Sequence, residues 1–157
     1  MRRKDREIKA KKEMRNILEQ CQVCRMAMVD GDAPYVVPMS FGFVWEDELV
    51  FYFHGANAGK KIDLLKINPK VCLEFDTNVQ LIKGDTACDY GTEYQSVIVR
   101  GEVEFLQLEE KREALDALMF QYTKRKGFSY PQIMLNKMAI YKVVATKVSA
   151  KEHKKKV

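Results

Sequence analysis

Two adjacent lysines follow a glycine in the segment His54-Gly55-Ala56-Asn57-Ala58-Gly59-Lys60-Lys61, directly after the apolar run LVFYF. The residues beyond it predict a helix carrying Ile62, Leu64 and Leu65 inward. That helix should stop at Asn68-Pro69, because the residue before proline is pushed out of the helical region. A helix start carries about half a positive charge from its aligned peptide dipoles. Lysines there are unfavourable by about a few tenths of a kcal/mol each unless an anion neutralises them. Free N–H groups at the start, with the close approach that Gly55 and Gly59 permit, would make a phosphate site. The competing reading is a pair of solvated lysines that merely tolerate the position, and the local pattern leaves both open.

The spacing narrows which phosphate such a site could take. A nucleotide-binding P-loop needs four residues between its glycines and then Lys-Ser or Lys-Thr. Gly55 and Gly59 are separated by three residues, and Lys61 stands where the magnesium-binding hydroxyl would be. No G-x-G-x-x-G is present either, which disfavours an ATPase or an NAD dehydrogenase. His54 ends an apolar strand beside this turn and titrates near physiological pH, so it is the candidate for proton chemistry. A hydrogen-bonded structural histidine is the plainer reading of the same residue. The other histidine, His153, lies in the lysine-rich tail and is expected to face solvent.

The elements that must position this turn are readable from periodicity. Ile8, Met14, Ile17, Leu18 and Cys21 predict an amphipathic helix over about 5–20. VCRMAMVD predicts a strand, Gly31-Asp32 a turn, and PYVVPMSFGFVW a hairpin partner for that strand. Pro38 interrupts the partner and places it at a sheet edge, at a bulge or beside a ligand. LVFYFH and KVCLEFDT predict further strands. The polar stretch 78–92 gives no assignment. Val97, Val99, Val103 and Phe105 share one face of a strand, and Leu115, Leu118, Met119 and Tyr122 form a helix stripe that Gly127 would end. MAIYKVVATKVSA closes the chain as a strand, followed by a basic tail at about 151–157. Strands and helices do not alternate regularly, so the fold class is α+β, a barrel of about six antiparallel strands flanked by helices.

The chain has 157 residues and a hydrophobic content of 46%, enough for one domain over 1–157 with a real core. No apolar run approaches the ~20 residues needed to cross a membrane, and the charged N-terminus is no secretory signal, so a cytoplasmic protein is expected. The net charge of +5 comes largely from the two ends. The aromatics lie in strand-like runs rather than among the basic residues, so no nucleic-acid partner is expected. Cys21 and Cys24 form a lone C-x-x-C pair after a helix, and Cys72 and Cys88 supply no second close pair. All four are read as reduced, mostly core-filling side chains.

PYVVPMSFGF, LVFYFHGANAGKKIDLL, NPKVCLEF and YQSVIVRGEVEFL followed by EEKREAL occur in an order that resembles the nitroimidazole-resistance branch of the pyridoxamine 5′-phosphate oxidase-like flavoproteins. The likeness runs from MRRKDREI to about Gln121. It implies a split β-barrel homodimer with FMN at the subunit interface, each site receiving residues from both protomers. By position it implies that Val37, Pro38, Met39 and Ser40 pass beside the isoalloxazine ring. His54, Ala56, Gly59, Lys60 and Lys61 would form the ribityl-phosphate turn, and Tyr94 and Ser96 belong to a Y-x-S-V motif near the interface. It also implies a role for His54 in the reductive chemistry. The substrate motif R-L-x-P of the vitamin B6 oxidases is missing, so another small molecule is expected as substrate. Two functions fit these residues: an FMN-dependent reductase of an electron-poor small molecule such as a nitroaromatic, or a non-catalytic protein that sequesters flavin or haem.

Overall fold

The computed structural model describes residues 3–154. A 3-10 turn at Lys4–Arg6 leads into β1 (Glu7–Ile8), α1 (Lys11–Gln20), β2 (Cys24–Asp30), β3 (Ala33–Met39), β4 (Gly42–Trp45) and β5 (Leu49–Ala56). Then come α2 (Lys60–Ile67), β6 (Lys70–Ile82), a 3-10 turn at Ala87–Asp89 and β7 (Gly91–Phe105). The chain finishes with α3 (Lys111–Thr123), α4 (Gln132–Lys137) and β8 (Met138–His153). The strands form one antiparallel sheet in the order β3-β2-β6-β7-β8-β5-β4, and β1 adds to β8. The fold is α+β, as expected.

β3 and β4 lie at opposite ends of that path, yet only Ser40 and Phe41 separate them in sequence. Two residues let the flanking Cα atoms stand at most about 11 Å apart. The sheet must therefore curl until its two edges meet, although no ladder joins them. The barrel is split at this seam.

The predicted hairpin partner was one continuous strand, and tertiary packing divides it. Phe41 is fully buried and its N–H donates to Tyr122 Oη at 3.0 Å instead of to a strand. Gly42 presses on the α3 backbone, where a Cβ would stand 2.4 Å from Ala117 carbonyl atoms. Division of that strand and the two-residue β1 bring the described strands to eight rather than six. The helix predicted from residue 5 starts only at Lys11, because Ile8 is buried in the ladder opposite Ala150. β8 likewise absorbs the start of the predicted basic tail: Lys151, Glu152 and His153 pair with Ser96, Gln95 and Tyr94. His153 is thus half-buried rather than solvent-facing, with Nδ1 2.8 Å from the Thr92 carbonyl oxygen. Residues 155–157 of that tail lie outside the described part of the chain.

Phe41, Phe51 and Phe75 anchor the core, with Phe75 centroids 4.8 Å from Phe41 and 4.9 Å from Phe51. Cys21 and Cys24 are buried in the same cluster, Cys72 is half-buried and Cys88 is exposed; all four are free thiols. Burial pushes the Cys21 thiol up to about 12. Among the described residues no helix is long and apolar enough to cross a membrane.

Candidate functional site

The turn between β5 and α2 forms as its sequence requires. β5 carries His54, Gly55 and Ala56 opposite Ile140, Ala139 and Met138 of β8. The chain then reverses through Gly59, whose φ of +112° lies where side-chain-bearing residues rarely go. α2 starts at Lys60 with no side chain capping it, and the first bond into its backbone runs from Asp63 N–H to the Gly59 carbonyl at 3.2 Å. The N–H groups before Asp63 have no partner within the helix. Burial of Ile62 and Leu65 fixes the direction in which this end points.

The two lysines, equivalent in sequence, are not equivalent in space. Lys60 is exposed, ion-paired with Asp30 at the end of β2, and 4.9 Å above the Tyr35 ring of β3. The Asp30 carboxylate holds the Lys60 pKa above its ordinary value. Lys61 instead runs back across Gly55, where a Cβ would come within 3.3 Å of Nζ. It is half-buried, and among the described residues its ammonium donates only to the thioether of Met39, at 3.0 Å. No carboxylate among the described residues lies within ion-pairing distance of it. Partial dehydration pushes the Lys61 pKa down. Nothing near the lysines in the chain signals this division, since Asp30, Tyr35 and Met39 all lie more than twenty residues away.

Met39 brings β3 to the turn. β3 pairs only with β2, so its other edge faces the seam, and Pro38 sits on an edge strand as its missing donor demands. Tyr35, Val37 and Met39 turn toward the core, while Val36, Pro38 and Ser40 face out. His54 is exposed; partial dehydration and then the Lys61 cation push its pKa below the ordinary histidine value. Met39, His54, Gly55, Gly59, Lys60 and Lys61 therefore gather around one turn, with Ala56 exposed at the strand end.

Tyr94 and Ser96 do not join them. They pair with His153 and Lys151 near one end of β8, whereas His54 pairs with Ile140 near the other. Ile140 and Lys151 are eleven positions apart along the strand, ~36 Å if straight. Ser96 is buried, at 8% exposure. The Lys151 ammonium stands 5.2 Å from the centre of the Tyr94 ring. Dehydration alone would raise the Tyr94 phenol, but hydrogen bonds with Lys151 and Arg6 carry its pKa below the ordinary value. Arg6 and Lys151 escaped the sequence reading because both lie in charged stretches that read as solvated ends.

A family model for pyridoxamine 5′-phosphate oxidase matches residues 10–152. The chain belongs to this family. Within it, a candidate 5-nitroimidazole antibiotic resistance protein from Bacteroides thetaiotaomicron is 34% identical, with 93% of this chain and 86% of that one covered at a TM-score of 0.81. The FAD- and haem-binding protein from Mycobacterium smegmatis is 15% identical over 96% of this chain and 74% of its own, at a TM-score of 0.84. An FAD-binding protein from Mesorhizobium loti is 23% identical over 95% and 98%, at 0.65. The last two likenesses establish the shared fold, the split β-barrel of this family. No curated protein matches.

Proposed function

We propose that the protein binds FMN, with the phosphate at the start of α2, and acts as a flavin-dependent reductase of a small electron-poor molecule such as a nitroaromatic. The observation that carries this reading is Lys61: a half-buried ammonium at a helix N-terminus whose one partner among the described residues is a thioether. Such a group is poorly satisfied until an anion arrives. One uncommitted cation suits one phosphate, which favours FMN over the diphosphate of FAD. Bound flavin would supply the electron transfer. The chain's own residues would do the rest: Lys61 and the free N–H groups hold the phosphate, and the outer edge of Val37–Ser40 offers backbone groups to the ring. His54, kept largely neutral near pH 7 by its lowered pKa, would exchange a proton with the substrate. The nitroaromatic class is supported by the description of the Bacteroides relative.

Titration of FMN with the protein should quench flavin fluorescence, and the complex should oxidise NAD(P)H or reduced flavin faster when a nitroaromatic is added. Absence of quenching would overturn the cofactor assignment. Binding without turnover across a broad panel of acceptors would favour a sequestering protein.

The separation of Tyr94 and Ser96 from the turn supports a homodimer in which each chain supplies the other's site. Mixed dimers of Lys61→Ala and Tyr94→Phe chains then carry one site with both defects and one with none. Half of the sites in each mixed dimer should recover FMN affinity. No recovery would place both residues in the same chain's site, or in none.

A further inference from the structure

Met39 makes an unusual choice of partner: a thioether sulfur, a weak acceptor, takes the only hydrogen bond that the half-buried Lys61 ammonium gives among the described residues. Met39 also ends β3, the edge strand facing the seam, and keeps part of its surface in solvent. We propose that Met39 is an oxidation site whose sulfoxide captures Lys61 and closes the anion site. This rests on the assignment of the FMN phosphate to Lys61.

The chemistry requires a peroxide. The Met39 sulfur lone pair attacks one peroxide oxygen, the O–O bond breaks and an S–O bond forms. The departing hydroxide takes the proton from the oxygen now bound to sulfur and leaves as water, sulfur losing two electrons and the peroxide gaining them. The product presents a polar oxygen where the thioether was, next to the Lys61 ammonium. A sulfoxide oxygen is a far stronger acceptor than a thioether, so Lys61 acquires a local partner that competes with phosphate. Methionine sulfoxide reductases reverse the change, which makes it a switch rather than only a lesion.

The test compares each protein with itself, before and after mild peroxide treatment, by FMN titration and peptide mass spectrometry of Met39. Oxidised wild type should lose affinity by roughly tenfold or more, the scale of a lost charge-assisted hydrogen bond. Methionine sulfoxide reductase should restore it. Met39→Leu should show the same affinity before and after treatment, which removes the other methionines as a cause. Lys61→Ala should also show no further loss, since the sulfoxide has nothing to capture. Wild type with Met39 shown to be oxidised and unchanged affinity would overturn the proposal, as would an equal loss in Met39→Leu. If untreated wild type binds no FMN, the cofactor reading fails separately. The switch is then read from Lys61 acetylation mapped by mass spectrometry, which should slow when Met39 is oxidised; an unchanged rate would overturn it.

Discussion

Replacing Lys61 and Lys60 separately by alanine tests the division of labour at the start of α2. Lys61→Ala removes a partly dehydrated ammonium with no carboxylate partner among the described residues, leaving any phosphate without its one charge-assisted side-chain hydrogen bond. Such bonds are worth about 1.5–3 kcal/mol. The FMN dissociation constant should therefore rise roughly 10- to 150-fold. Lys60 is exposed and already neutralised by Asp30, so what it offers an incoming anion is small and screened by solvent. Lys60→Ala should weaken FMN by a factor of about three at most. Asp30→Asn frees Lys60 and should strengthen binding, an effect that fades in high salt because the pair is exposed. Fluorescence quenching of FMN at fixed ionic strength reads all three variants. If Lys60→Ala loses as much as Lys61→Ala, the half-buried lysine is not the phosphate ligand and the reasoning from burial fails.

Two further outcomes follow from the same turn. The His54 pKa is lowered by dehydration and by Lys61, so an anion that offsets Lys61 should raise it; with His153 as the other histidine, imidazole proton resonances titrated with and without FMN would show this. Because the folded form disfavours the protonated ring, the stability contribution from His54 is complete above the unfolded value of about 6.5 and declines as pH falls below it toward the lowered folded value. His54→Gln should flatten that part of the profile of melting temperature against pH. Gly59 holds φ +112° with open space where a Cβ would be, so Gly59→Ala costs conformation without a clash, about 1–3 kcal/mol in urea unfolding. Asn in place of Gly59 should give little relief, because ψ is 164°, outside the left-handed helical region that Asn tolerates.

What the chain disclosed about itself depended on the range of each interaction. The start of α2 was readable because its causes are local: Gly59 for the turn, Ile62 and Leu65 for burial, Asn68-Pro69 for the stop. Pro38 restricted its strand to a sheet edge, a bulge or a ligand's side for an equally local reason, and β3 lies at the edge. Long-range contacts left no comparable mark. The break at Ser40 and Phe41 exists because Tyr122 and Ala117 of α3 come against the strand from about 80 residues away. α4 holds six residues with only Leu135 buried, too short to show a period. α3 buries Gln121 and exposes Tyr122, the reverse of the apolar stripe, because the Gln121 amide donates to the Leu18 and Cys21 carbonyls at 3.0 Å each. Lysine charge was visible in the sequence; whether that charge was already spent on a carboxylate was not.

That last distinction bears on what holds α2 in place. A cation at a helix N-terminus costs about 0.3–1 kcal/mol, and partial dehydration adds to this for Lys61. Burial of Ile62 and Leu65 contributes about 1.5–3 kcal/mol each, so packing holds α2 in place against the charge it carries. The opposition sits in one residue whose hydrophobic neighbours prevent the helix from turning to relieve it. An anion bound at the proposed site would remove that penalty. In the proposed site, preorganisation of this kind would concentrate anion binding on Lys61, while the paired Lys60 beside it holds the turn to β2 and β3.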